Sequence, residues 1–167
     1  MLEIISSFHQ LNTVQLMEVY LEENLKYGSK MHPHLDTNKQ LYCAEDDFLS
    51  YLQEDFFRQN GAKYAVWKVE NHYKAALRLE PYKDGLLLEA LETAPASRRK
   101  RYAYNLITSV IDFLQRADYK ILYSHVHKRN IASLNLHRMC GFRIIADYAW
   151  YIDGTITHSS YTFRYDF

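Results

Sequence analysis

Between Tyr64 and Leu114 the hydrophobic period of the chain changes from two to 3.6, and the change falls on a basic turn. Three runs with strand-like alternation come first: Tyr64–Glu70, Lys74–Glu80 and Leu86–Thr93. Asn71-His72-Tyr73 and Lys83-Asp84-Gly85 separate them, connections too short for a crossover, so the three are predicted to pair antiparallel. Next the chain reads Ala94-Pro-Ala-Ser-Arg98-Arg-Lys-Arg101, and Ala103, Leu106, Ile107, Val110, Ile111 and Leu114 then fall on one helical face. A helix N-terminus presents unpaired backbone N–H groups and the positive end of the helix dipole. A strand, a turn and a helix opened by four cations therefore form a seat for a phosphate group.

The flanking segments extend the pattern. Leu2–Ser7 is predicted as a first strand. From Asn12 or Thr13, the residues Val14, Leu16, Met17, Tyr20 and Leu21 keep a helical period, with Gly28 as its stop. Residues 28–43 lack a clear period and read as a loop or broken helix. Asp46 or Asp47 is placed to cap a second helix whose face is Phe48, Leu49, Leu52 and Phe56, closed by Asn60-Gly61 as a left-handed C-cap. Downstream, Lys120–His127 is predicted as a strand and Asn130–Met139 as a short helix ending before Gly141. Phe142–Ile152 and Thr155–Tyr165 are predicted as a hairpin about Asp153-Gly154. The order is β-α-α-β-β-β-α-β-α-β-β, an α/β (α+β) chain with a mixed, mostly antiparallel central sheet flanked by helices.

At 167 residues the chain fits one domain, residues 1–167, with a core of its own. Lys and Arg balance Asp and Glu at 20 each, so net charge does not indicate a nucleic-acid partner. The balance is uneven: residues 1–60 carry 10 acids against 4 bases and residues 61–167 carry 16 bases against 10 acids, which suits an anionic ligand on the C-terminal half. Arg98–Arg101 with Tyr102, Lys128 and Arg129 interleaves cations and aromatics as a nucleic-acid surface does. The zero net charge and acidic N-terminal third argue against that use. No apolar run approaches the ~20 residues that cross a bilayer, and Met1–Ser7 lacks the basic region of a signal peptide. Cys43 and Cys140 are far apart and are expected as reduced thiols in a cytoplasmic protein that has no membrane partner. His32-Pro-His34 and His125-Val-His127 each supply half a metal site with no carboxylate or cysteine cluster to complete it, so no metal is expected. His125 and His127 share one strand face and are read as packing or surface residues. The Gly-Lys-Ser/Thr phosphate loop and the dinucleotide fingerprint Gly-x-Gly-x-x-Gly are absent.

Two segments taken together, Leu91–Leu106 and Asn130–Phe142, resemble the acyl-CoA-binding core of the GNAT family of N-acetyltransferases. In that family an apolar strand leads to a basic or glutamine residue, two variable residues, Gly, any residue, and Gly or Ala. Here the pattern falls on Arg98-Arg99-Lys100-Arg101-Tyr102-Ala103. The resemblance implies that backbone amides of this loop cradle the pyrophosphate of acetyl-CoA and that the small Ala103 lets the helix start close to it. It also implies that the backbone at Leu91, Glu92 and Thr93 pairs with the pantetheine arm and polarises the thioester carbonyl. The acyl-CoA then sits in a splay between the strands at 86–93 and 120–127. Arg101 replaces the middle glycine of the pattern, and a positive φ there would cost an arginine about 1 kcal/mol or more.

The second segment matches through Asn130, which opens a short helix with Ser133 in its first turn, through His137 seven residues on, and through Gly141-Phe142. Family members commonly carry a tyrosine at the place of His137, where it protonates the departing thiolate. A histidine with an ordinary pKa near ~6.5 keeps a usable protonated fraction at neutral pH. The alternative for His137 is a packed ring hydrogen-bonded to the backbone, with Tyr104 and Tyr148 as substitute acids. Deprotonation of an amine needs a base, and Glu89 and Glu92 are the candidates. They have opposite parity, so at most one faces the cleft; Glu89 holds a position where some relatives carry a base. The implied activity is direct transfer of an acetyl group from acetyl-CoA to a primary amine of a small-molecule or peptide acceptor. A catalytically silent acyl-CoA-binding module is the alternative. The aromatics Tyr148, Trp150, Tyr151, Tyr161 and Tyr165 are expected to pack across the last hairpin, some of them bordering the acceptor pocket. An exposed C-terminal strand would offer an edge for a homodimer.

Overall fold

A computed structural model describes all 167 residues. Seven strands form the central sheet in the spatial order β1 (Leu2–Ile5), β2 (Lys63–Val69), β3 (His72–Tyr82), β4 (Gly85–Thr93), β5 (Ile121–His127), β9 (Ser160–Asp166) and β6 (Arg143–Ala146). Every neighbouring pair is antiparallel except β4 and β5, which are parallel and joined through the helix between them. A separate two-stranded ribbon consists of β7 (Ala149–Trp150) and β8 (Ile156–Thr157). The turn between β2 and β3 is tight because Glu70 and Asn71 both adopt positive φ, 50° and 63°, the twist that a two-residue hairpin requires.

Helices α1 (Thr13–Val19), α2 (Leu21–Met31) and α3 (Thr37–Glu54) cover one face of the sheet, and α4 (Tyr102–Arg116) and α5 (Ile131–Met139) cover the other. On the α4 side, Leu106, Ile107, Val110 and Leu114 interlock with Leu77, Leu79, Leu88, Leu122 and Phe163. On the opposite side, Leu16, Val19, Leu52 and Phe56 pack on Tyr64, Val66 and Ala76. Each fully buried Leu or Phe contributes roughly 2 kcal/mol, so the two cores hold both helical layers to one sheet.

The first sixty residues depart from the sequence-based expectation. Gly28 does not stop a helix: α2 runs through it to Met31, and an added Cβ would lie 2.3 Å from the Gln40 carbonyl oxygen on α3. Its role is close approach between two helices. The second long helix begins at Thr37, ten residues earlier than its apolar face suggests, because Asp36 accepts a hydrogen bond from the Lys39 amide at 3.1 Å and caps it. Gly61 has the expected left-handed φ of 89°, yet it follows a short turn at Phe56–Arg58 rather than closing the helix directly.

The C-terminal hairpin is also subdivided. The β6–β9 ladder shifts register between Ile144 and Ala146, and the Thr162 hydroxyl donates to the Tyr148 carbonyl at 2.6 Å. The chain then leaves the sheet and pairs with itself about Asp153-Gly154 as the β7–β8 ribbon. The C-terminal strand β9 lies inside the sheet between β5 and β6, so the edge at that end of the sheet belongs to β6.

Candidate active site

Pairing between β4 and β5 covers only Leu86–Leu88 with Leu122–Ser124. Beyond these residues β4 stays with β3 and β5 stays with β9, so the two parallel strands part. A cavity of about 130 Å³ opens in the gap, lined by Leu88–Leu91 on one strand, Ser124–His127 on the other, and Asn130, Ser133 and His137 above. The edge of β4 that faces this gap has no strand partner from Glu89 onward, which leaves backbone polar groups free to pair with a bound chain.

A bulge shapes β4 where the strands part. Ala76 of β3 opposes Glu92 and Arg78 opposes Glu89, so Leu77 alone spans Ala90 and Leu91. Ala90 takes a positive φ of 49°, and its carbonyl accepts a 2.5 Å hydrogen bond from the Tyr20 hydroxyl. The extra residue overturns the parity argument: Glu89 and Glu92 both lie on the face of Arg78 and Ala76, under α1–α3. Counting by twos fails across a bulge because one residue is inserted without flipping the face of those that follow.

The polar groups on that face are partly desolvated. The Arg78 guanidinium lies over the rings of Tyr51 and Phe56, at 5.1 and 5.7 Å, and 3.8 Å from Glu80 and 3.5 Å from Glu89. Burial raises the Glu89 carboxyl above the usual carboxylate range, and Arg78 pulls part of that shift back. Burial and then the nearby Glu23 raise Glu92. Across the gap, His125 shares the strand face of Tyr123, whose partner is Leu87, and it lines the cavity together with Glu89. Both ring nitrogens of His125 are buried without a hydrogen-bond partner, and Tyr82 and Tyr151 pack on the ring at 5.6 and 4.9 Å. Burial, assisted by Lys83, lowers its pKa to about 4, so the ring is neutral at physiological pH. Sequence reasoning assigned His125 to packing or surface; its placement on the Tyr123 face was visible in the alternation, but its lack of partners was not.

His137 lies on the opposite side of the same cavity. Its Nδ1 is 2.8 Å from the Ser133 carbonyl oxygen, to which it donates, and Phe142 and Phe163 pack on the ring. That bond assigns the proton to Nδ1, which leaves Nε2 as a lone pair, buried and unpartnered. Burial lowers the His137 pKa. Asn130 caps α5 by accepting from the Ser133 amide at 3.0 Å, which aligns Ser133 and His137 along one helix face. Tyr104 and Tyr148 are not among the residues lining the cavity.

The basic turn leads from β4 into α4. Arg99 and Arg101 both take a φ of 62°, and Arg101 is the residue immediately before the helix. Asn12, Asp36 and Asn130 cap α1, α3 and α5 through their side chains, but no side chain caps α4. Its first-turn N–H groups at Tyr102 and Ala103 thus keep their capacity for an external acceptor, beside the exposed Arg99, Lys100 and Arg101. The Arg98 guanidinium instead reaches Glu22 on α2 at 2.7 Å. No group of three or more His, Cys, Asp or Glu residues is placed to hold a metal ion, and no helix is long and apolar enough to cross a membrane.

A sheet parted between two parallel strands, with an uncapped basic helix terminus beyond the gap, defines a cleft for an elongated, anionic ligand. The chain belongs to the GNAT acetyltransferase family, whose model, "Acetyltransferase (GNAT) family", matches residues 16–142. It is therefore an acyl-CoA-dependent acetyltransferase. The fold is similar to PaiA N-acetyltransferase from Thermoplasma acidophilum, solved with coenzyme A, at 11% identity and a TM-score of 0.66 over 100% of this chain and 99% of that one. It is similar to IAA acetyltransferase from Bacillus cereus at 11% identity and 0.64, over 100% and 99%. Ribosomal-protein-S18-alanine N-acetyltransferase from Escherichia coli matches at 17% identity and 0.62, over 99% and 94%. No curated protein matches the chain in sequence.

Proposed function

We propose that the chain transfers the acetyl group of acetyl-CoA directly to a primary amine within the gap between β4 and β5. The observation that carries this reading is the gap itself: β4 and β5 part beyond Leu88 and Ser124, and Glu89, His125 and His137 line the space between them, with both nitrogens of His125 unpartnered. The thioester supplies the activated acetyl carbon. The loop Arg98–Ala103 suits a pyrophosphate through the uncapped N–H groups of α4 and the cations beside them. Leu91, Glu92 and Thr93 offer the unpaired edge of β4 to the pantetheine arm and an N–H group to the thioester oxygen.

Attack requires the free amine. Neutral His125 receives the ammonium proton, directly or through one water, and passes it on to solvent. The amine nitrogen then bonds to the acetyl carbon, the carbon–sulfur bond breaks, and the electron pair leaves with the thiolate. His137 keeps the acid role in this reading: Ser133 occupies Nδ1, so the ring takes up and returns a proton through Nε2 alone. Because burial favours the neutral ring, the proton His137 delivers is the second one shed by the attacking amine nitrogen, taken up at Nε2 and passed to the departing thiolate. Free thiols at Cys43 and Cys140 support a reducing compartment, and we place the protein in the cytoplasm. The exposed Ile144 and Ile145 on the β6 edge support a homodimer contact there.

The test is release of CoA thiol from acetyl-CoA against a panel of amines, with His125→Ala and His137→Ala beside the native chain. Amine-dependent release that falls in His125→Ala supports the reading. Binding of acetyl-CoA with no release by any amine would favour the silent binding module.

A further inference from the structure

A second cavity, of about 590 Å³, lies between α2, α3 and the outer part of β4. Ala90 borders both this cavity and the gap between β4 and β5, so the bulge is a wall common to the two spaces. Resting on the acetyl-transfer reading above, we propose that this cavity holds the acceptor by a second, positively charged amino group, which makes the acceptor a short aliphatic diamine or a longer polyamine.

The walls are aromatic: Tyr20, Tyr27, Phe48 and Tyr51 surround the space. Faces of such rings attract ammonium groups, most strongly where water is displaced. The one cation in the wall, Arg78, is already committed to Glu80 and Glu89 and lies over Tyr51 and Phe56. Of the wall carboxylates, Glu23 pairs with Lys26 at 2.5 Å and Asp47 lies 3.5 Å from His32. Glu92 forms no ion pair, and burial followed by Glu23 outweighs the pull of Arg98 and Lys26, so its charge is costly there. A bound ammonium relieves that cost.

The experiment compares kcat/KM for 1,3-diaminopropane, 1,4-diaminobutane and 1,5-diaminopentane with that for propylamine, butylamine and pentylamine, in the native chain and in Glu92→Gln. Acetyl-CoA binding is followed by calorimetry in both. The expected result is a diamine preference of about tenfold or more at one chain length, equivalent to about 1.4 kcal/mol, which Glu92→Gln largely removes by lowering the diamine value more than the monoamine value. Equal values for diamine and monoamine, or equal loss for both in Glu92→Gln, overturn the proposal. So does acetyl-CoA binding without acetylation of any of the six amines. Failure to bind acetyl-CoA at all would instead overturn the transfer reading on which the proposal rests.

Discussion

The Tyr20 hydroxyl lies 2.5 Å from the carbonyl oxygen of Ala90, a residue 70 positions later in the chain. Tyr20 occupies the break between α1 and α2, and Ala90 is the left-handed residue of the β4 bulge. The contact joins the helical layer to the point where acyl donor and acceptor would meet. Burial raises the phenol pKa well above its ordinary value, so it remains a donor. Tyr20→Phe keeps the ring and leaves the Ala90 carbonyl without its partner. Loss of about 1–3 kcal/mol in urea unfolding is expected, with a fall in kcat that exceeds any change in the KM for acetyl-CoA.

His125 is predicted to be neutral throughout the physiological range. Its folded pKa of about 4 lies below the ordinary value, so the unfolded chain takes up this proton first as pH falls. Stability tied to His125 is therefore full above about pH 6.5 and declines as pH falls toward about 4. Imidazole NMR should show a ring that stays neutral at pH 6. Chemical denaturation between pH 7 and 4 should show a shallower pH slope in His125→Gln. The same variant should lower kcat by roughly 10²–10⁴-fold, the range of a general base.

Arg101 occupies a left-handed position at the start of α4, with φ 62° and ψ 16°. Arg101→Gly removes the Cβ strain and should stabilise the fold by about 1 kcal/mol. A chain of this size should then melt roughly 2–4 °C higher. Binding of acetyl-CoA should become less sensitive to salt, since one cation is gone from the loop.

Gly28→Ala should act at a distance on the acceptor side. The new Cβ meets backbone of α3, the Gln40 carbonyl oxygen at 2.3 Å, so α2 and α3 must separate. The expected cost is about 1–3 kcal/mol. Because both helices wall the larger cavity, the KM for the amine should rise while calorimetry shows acetyl-CoA binding retained.

Much of the fold was legible as local pattern. Alternation marked β2, β3 and β4, the Leu106-to-Leu114 stripe marked α4, and Asn130 marked the start of α5, because backbone period and capping are set by residues a few positions apart. The basic turn was readable for the same reason, whereas a left-handed Arg101 was expected only through the glycine that the GNAT pattern has at that place. The start of α3 was missed because Asp36 is a cap whose helix shows its apolar face only a dozen residues later. The last hairpin was read as one ribbon because the Thr162–Tyr148 bond that divides it joins residues fourteen apart.

The sequence by itself determined the periods, the turns and the basic opening of α4, all consequences of short-range backbone geometry. Only the tertiary structure decided that Glu89 and Glu92 share a face, that His125 loses its hydrogen-bond partners, and that Tyr20 reaches the bulge. Those outcomes depend on strand register and burial, which arise when segments distant in the chain are packed together.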